Sequence, residues 1–142
     1  MATRLNNKLG LWGWLGGGRY GLERYAYALH RLTGLGILAY FLMHIFVTGA
    51  RIGGPERWQG TMAFFGKPSF KLGEFLVFLA FAFHAINGIR LAFLELGYGI
   101  GRPGLPAYPY SYSTLRQRPL FVAAMVATAL LMVLGGADLY LK

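Results

Sequence analysis

Three long apolar runs divide this chain, and they limit what it can fold into. They cover roughly residues 25–48, 72–96 and 119–140, and glycine, proline or arginine bounds each of them. A helix needs about 20 consecutive apolar residues to cross a bilayer, so each run is long enough to span one. Three such helices leave little chain for a water-soluble core. The sequence therefore predicts a small all-α integral membrane protein, with residues 1–142 forming a single membrane domain.

The composition narrows the classes of function. The chain is 56% hydrophobic and 13% charged, and it contains no cysteine. Without cysteine there is no disulfide, no cysteine zinc site and no thiolate-held iron–sulfur cluster, so an electron carrier would need histidine ligands or a partner. The net charge of +9 is spread over helix ends and short loops, which fits membrane flanks better than a nucleic-acid surface. We therefore expect a lipid bilayer around the chain and no nucleic-acid partner.

The segments outside the spans give an orientation. Residues 1–24 contain two tryptophans and four bases but no signal-peptide pattern, which indicates an interfacial segment or a loose tail. The segment 49–71 is a loop with a short surface helix around 56–65, and 97–118 is an aromatic interfacial loop. Nine Lys and Arg residues fall on the side of the N-terminus and five on the other. The positive-inside rule then predicts a cytoplasmic N-terminus and an outer C-terminus.

The second apolar run contains His84 near its middle, between Leu72 and Leu94. An ionisable side chain at that depth is expensive without a partner, so it is a functional hypothesis by default. Neutral imidazole is a common axial ligand of haem iron. Gly88 lies one helical turn further along the same face, and we expect it to clear space beside the His84 imidazole. The alternative is a histidine that is hydrogen-bonded to a neighbouring helix.

The first apolar run contains two more histidines, His30 and His44. Their separation of 14 residues is near four helical turns, or roughly 21 Å along the axis. We expect His30 near the start of the span and His44 near its far side, on one stripe of the helix. The run also contains small residues that let transmembrane helices pack closely, namely Thr33, Gly34 and Gly36.

Arginines stand at the cytoplasmic ends of both spans. With the N-terminus inside, His30, Arg31 and Arg90 come to the same side, and His84 lies about 9 Å deeper than Arg90. Intramembrane arginine usually pairs with an anion, and the propionates of haem are carboxylates. This arrangement predicts a haem b site around His84. Because we expect no other histidine of the chain at that depth, the second axial ligand is predicted to come from another polypeptide.

Two motifs carry a family resemblance. Residues 29–34 read Leu-His-Arg-Leu-Thr-Gly, and residues 84–90 read His-x-x-x-Gly-Ile-Arg. Together, over about Tyr27 to Glu95, they resemble the cytochrome b subunit of succinate dehydrogenase. The resemblance implies a membrane anchor without independent catalytic activity, in the inner (cytoplasmic) membrane. It implies three partners, a flavoprotein subunit, an iron–sulfur subunit and a second small anchor subunit that completes the helix bundle, and it implies haem b and a quinone site.

The resemblance also assigns residues. His84 matches the axial haem ligand, His30, Arg31 and Arg90 match the basic residues around the propionates, and Arg31 also matches a position next to the quinone. Tyr27 stands where the family often has a serine that contacts the quinone, and a phenol can still donate a hydrogen bond there. The chain departs from the family's usual residues again at two positions, Leu91 for histidine and Glu95 for aspartate.

Several alternatives stay open. His44 matches the position of a second haem ligand in some branches of the family, and the other interpretation is a structural hydrogen bond. The chain is therefore expected to hold one haem or two. A fumarate reductase anchor, which runs the reverse reaction, fits the same motifs. An anchor that binds no haem, with His84 as a packed histidine, is the alternative of a different class.

Overall fold

The chain folds into helices only, over the residues that the computed structural model describes, which are residue 10, residues 22–99 and residues 114–141. Three long helices are α1 (Leu22–Gly49), α3 (Pro68–Glu95) and α4 (Thr114–Tyr140), and the shorter α2 covers Pro55–Phe65. A 3₁₀ helix, Ala50–Gly53, follows α1 directly. All three long helices are long and apolar enough to cross a membrane. The predicted all-α, multi-pass membrane architecture is confirmed, and so is the short helix between the first two spans.

Local sequence explains where these helices begin and end. Pro55 and Pro68 stand in the first turn of α2 and α3, where a missing backbone N–H costs nothing. At the other end of α3, Gly97 has a φ of 87°, its N–H donates to the Leu94 carbonyl, and the N–H of Tyr98 donates to the Phe93 carbonyl. This is the Schellman arrangement, which requires the left-handed conformation that glycine adopts without strain. The loop after the second span therefore starts at a defined point.

Helix α3 lies at the centre of the bundle and packs against both α1 and α4. Its neighbours run antiparallel to it, because the early residue His30 of α1 contacts His84 and the early residue Phe121 of α4 contacts Arg90. The buried core gathers at this end of the bundle, where Ala26, Phe83 and Phe121 meet. The histidine and arginine of the second span thus lie in the best-packed part of the structure.

Small residues let α4 approach α3, and they are not the two alanines that have the usual spacing of helix-packing motifs. Ala123 and Ala127 have small-xxx-small spacing, but Ala123 is exposed, whereas Ala124 and Thr128 are buried. Further along, Gly135 and Gly136 face Phe78 and Phe75 of α3. The rotation of α4 about its axis therefore decides which of its small residues are buried against α3.

Much of the outer surface is apolar. No residue in the most hydrophobic stretch of the first span is buried within the described parts of the chain, and large side chains such as Leu35, Ile45 and Phe46 are mostly exposed. Such a surface suits lipid tails or other transmembrane helices. The predicted interfacial segment 1–24 and aromatic loop 97–118 lie largely outside the described residues.

Candidate functional site

The centre of the candidate site is a pair of stacked histidines that joins α1 to α3. The ring centroids of His30 and His84 are 3.9 Å apart and their planes differ by 6°. The two imidazoles therefore lie at the same level, so the expectation that His84 is alone at its depth was wrong. The rise per residue gives positions along one helix, but the offset between two helices is set by their packing.

The neighbours of the His84 ring determine which of its two nitrogens is free. The Nδ1 atom of His84 lies 3.0 Å from the backbone carbonyl oxygen of His30 and 3.3 Å from the hydroxyl of Thr33. Since a carbonyl oxygen only accepts, Nδ1 carries the hydrogen and donates it. The Nε2 atom makes no hydrogen bond to any described residue. In the neutral imidazole this nitrogen holds the lone pair that can bind a metal.

Each histidine packs against a glycine of the other helix. A methyl group on Gly34 of α1 would lie 2.8 Å from Cε1 of His84, and one on Gly88 of α3 would lie 3.4 Å from Cε1 of His30. Gly88 therefore faces His30 of α1, where its spacing had suggested open space beside the His84 imidazole. The residue that admits the His84 imidazole is Gly34, which the sequence marked as a helix-packing position and as the last residue of the first motif.

Arg90 lies inside the three-helix bundle. It is 5% exposed, its Nε donates to Oδ1 of Asn87 at 3.0 Å, and its guanidinium lies 5.3 Å from the centroid of the Phe121 ring. Arg90 is also near enough to His30 and Glu23 for electrostatic interaction. The structure thus brings Arg90 towards the histidine pair. Asn87 and Phe121 of the same chain hold its side chain in place.

Asn87 completes this buried polar cluster and was not assigned a role from the sequence. It is fully buried, and its Nδ2 atom, like Nδ1 of His30, has no hydrogen-bond partner among the described residues. A buried amide without a partner is unfavourable by about 1–3 kcal/mol. The signal that could have identified it is its spacing, since Asn87 and Arg90 stand three residues apart on one face of an apolar helix.

Arg31 and Tyr27 lie on the exposed side of α1 at the same end of the bundle. Tyr27 is 53% exposed, Arg31 is exposed, and its guanidinium lies 5.7 Å from the Tyr27 ring centroid. Nearby, Glu23 and Arg118 approach to 3.8 Å and link α1 to α4. A cation beside a phenol, open to a partner or a ligand, can donate hydrogen bonds to a carbonyl oxygen.

His44 lies apart from the other histidines. Its side chain is exposed and borders a cavity of about 370 Å³ between α1, α2 and α3, together with Tyr40, Trp58 and Glu74. The centroid of its ring is 5.5 Å from that of Tyr40. The ring makes no hydrogen bond within the described ranges, so the structural hydrogen bond of the alternative interpretation is not found there. The Thr48 hydroxyl donates to the His44 backbone carbonyl and not to the ring.

The donor set at His84 fits haem. No group of three or more His, Cys, Asp or Glu residues that could hold a metal is found in the described parts of the chain. A porphyrin brings its own four nitrogen ligands, so the protein has to supply only axial donors. His84 offers one, with Nδ1 held by the neighbouring helix, and a hydrogen bond of this kind orients metal-binding imidazoles.

Comparison with known proteins identifies the family. The family model for the succinate dehydrogenase/fumarate reductase transmembrane subunit matches residues 2–135. The chain belongs to this family. The motif resemblance to a succinate dehydrogenase membrane anchor is thereby confirmed, and the three helices are those of a multi-pass membrane anchor subunit.

Two curated relatives carry the name succinate dehydrogenase hydrophobic membrane anchor subunit. The protein of Halobacterium salinarum is 34% identical over 79 residues, which cover 54% of this chain and 59% of the relative. That of Archaeoglobus fulgidus is 30% identical over 83 residues, which cover 58% of this chain and 71% of the relative. The match thus spans less than two thirds of the first relative, and both relatives are named hydrophobic anchors and not cytochromes b.

Proposed function

We propose that this family member is the haem b-binding anchor subunit of a succinate:quinone oxidoreductase. In this role it joins a flavoprotein subunit, an iron–sulfur subunit and a second small anchor subunit in the cytoplasmic membrane, and it helps electrons reach quinone. Succinate oxidation belongs to the flavoprotein. The observation that carries the proposal is the His84 imidazole, which is fixed through Nδ1 by the His30 carbonyl and keeps Nε2 for a metal.

Haem b, when bound, supplies one-electron redox chemistry. The chain contributes the axial imidazole of His84 and the glycine contact at Gly34 that lets the ring sit between the helices. His30 stacks face to face on His84, so the two rings could not both bind one haem iron. A partner subunit would therefore supply the second donor. The sequence suggested the same because it placed His84 alone at its depth, whereas the structure gives the ring stack as the reason. Arg31, Arg90 and His30 would supply the cationic and polar groups for the propionates.

The quinone site is assigned to the exposed side of α1, around Tyr27 and Arg31. Both side chains are open at the end of the bundle that holds the histidine pair, and both can donate hydrogen bonds to a quinone oxygen. Arg31→Leu is expected to impair quinone reduction far more than succinate oxidation with an artificial acceptor. An equal loss in both assays would instead show failed assembly, and an unchanged rate of quinone reduction would remove Arg31 from the quinone site.

The haem assignment is tested on the complex purified in mild detergent, by subunit analysis and a reduced-minus-oxidised absorbance spectrum. The wild type is expected to show a b-type α band. His84→Ala is expected to abolish it or change it greatly while the polypeptide stays in the membrane. Gln59→Ala, at an exposed position of α2, serves as the control substitution. A normal bis-histidine spectrum in His84→Ala would exclude His84 as the ligand.

One observation favours the haem-free anchor as a second candidate. The His84 imidazole already connects two helices, through its hydrogen bond to His30 and the ring stack, and a packed intramembrane histidine needs such partners. A purified, fully assembled complex without any b-type band would decide for this candidate. The matched family covers transmembrane subunits of both succinate dehydrogenase and fumarate reductase. Comparing the rates of succinate oxidation and fumarate reduction in the same preparation shows which reaction the complex favours.

A further inference from the structure

We propose that Thr33 is a positioning residue for His84, and that its hydroxyl helps to select the nitrogen with which His84 binds iron. This inference rests on the proposed haem role of His84. Thr33 lies on α1, one turn after His30, and its Oγ1 is 3.3 Å from Nδ1 of His84 on α3. No contact between Thr33 and a haem is required by this role, because the residue acts through the imidazole.

The hydrogen-bond geometry fixes the direction of donation. The Thr33 hydroxyl lies 2.8 Å from the Leu29 carbonyl and 3.0 Å from the His30 carbonyl, both in its own helix. A hydroxyl has one hydrogen and two lone pairs, so once it donates to a backbone carbonyl, it can only accept from a third group. Towards His84 the Thr33 oxygen is therefore an acceptor.

Both polar neighbours of His84 Nδ1 are thus acceptors, namely the Thr33 hydroxyl and the His30 carbonyl. The neutral ring must place its one hydrogen on Nδ1, and the lone pair stays on Nε2. An acceptor on the far nitrogen also makes the imidazole a stronger donor to a metal. The stronger donor favours ferric over ferrous iron, so each acceptor lowers the reduction potential of the haem.

Thr33 is the acceptor that a side-chain substitution can remove, since the His30 carbonyl is part of the backbone. Thr33→Val keeps a branched side chain of nearly the same shape, and Thr33→Ser keeps the hydroxyl. Thr128→Val is the matched control, because Thr128 is a buried threonine of α4 whose hydroxyl bonds the Ala124 carbonyl in the same way, at 2.8 Å. The measurements are the haem-to-flavin ratio and the haem midpoint potential of the purified complex.

Thr33→Val is expected to raise the haem midpoint potential and to weaken haem retention by about tenfold. Removing a hydrogen-bond partner of a metal ligand typically costs about 10–100-fold in affinity, and tenfold is the lower end of that range. The lower end applies because the stronger acceptor, the His30 carbonyl, remains. Thr33→Ser and Thr128→Val are expected to keep wild-type values for both quantities. If Thr33→Val does not accumulate in the membrane, Thr33→Ala is measured in the same way.

The outcomes separate this inference from the haem assignment itself. If His84→Ala loses the haem but Thr33→Val keeps the wild-type potential and haem content, Thr33 has no positioning role and the haem assignment stands. If Thr128→Val shifts the potential as much as Thr33→Val, the effect is general and the inference is overturned. If the wild-type complex has no haem, or His84→Ala retains it unchanged, the haem assignment fails and the Thr33 role fails with it.

Discussion

Replacing Gly34 with alanine would put a methyl group where the His84 ring now lies. The new carbon would be 2.8 Å from Cε1 of His84, whereas two carbons in ordinary contact are about 3.5–4.0 Å apart. The ring would have to move by about 0.7 Å or more. It is not free to do so, because it is stacked on His30 at 3.9 Å and hydrogen-bonded to the His30 carbonyl at 3.0 Å.

The added methyl group is therefore expected to break the Nδ1 hydrogen bond or to push α1 and α3 apart. Overpacking of this kind typically costs about 1–3 kcal/mol. Loss of the contact that orients the ligand should lower haem affinity by about 10–100-fold. Gly36→Ala is the matched control, because it lies two residues away on the same helix and its added carbon would meet nothing within 4 Å. Both substitutions raise helix propensity equally, so within this chain the difference between them is the contact with His84.

The assay compares haem per flavin and thermal unfolding of the purified complex for the two variants and the wild type. Gly34→Ala is expected to lose haem and to unfold at a lower temperature, and Gly36→Ala is expected to match the wild type. Equal behaviour of the two variants would refute the argument that Gly34 admits the His84 ring. If the wild type contains no haem and Gly34→Ala still unfolds at a lower temperature, the result supports the packing of α1 against α3 but not the haem site.

Two further predictions concern other parts of the chain. If His44, which borders the apolar cavity, binds a second haem, His44→Ala is expected to lower the haem-to-flavin ratio from two to one. A ratio of one in the wild type would exclude that role. Gly135→Ala is expected to destabilise the bundle by about 1–3 kcal/mol, because its methyl group would collide with the Phe78 ring, as thermal unfolding would show. Gly60→Ala, whose added carbon meets nothing within 4 Å, should unfold like the wild type, and an equal loss in both variants would contradict the contact.

The sequence alone determined the architecture, because bilayer thickness fixes how many apolar residues a spanning helix needs. The predicted spans at 25–48, 72–96 and 119–140 agree with α1, α3 and α4 to within five residues at every end. It also determined the candidate functional residues, since His30, His84 and Arg90 interrupt apolar runs. The two motifs around them were enough to identify the family.

Only the tertiary structure decided how these residues meet. Sequence spacing determines the rise and rotation of residues within one helix, but the offset, crossing and rotation of one helix against another depend on which side chains interlock. For this reason the sequence could not predict that the His30 and His84 rings stack. It also could not predict that Gly34 contacts His84 while Gly88 contacts His30. The burial of Arg90 between α3 and α4, and the separate position of His44, follow from the same packing of three antiparallel helices.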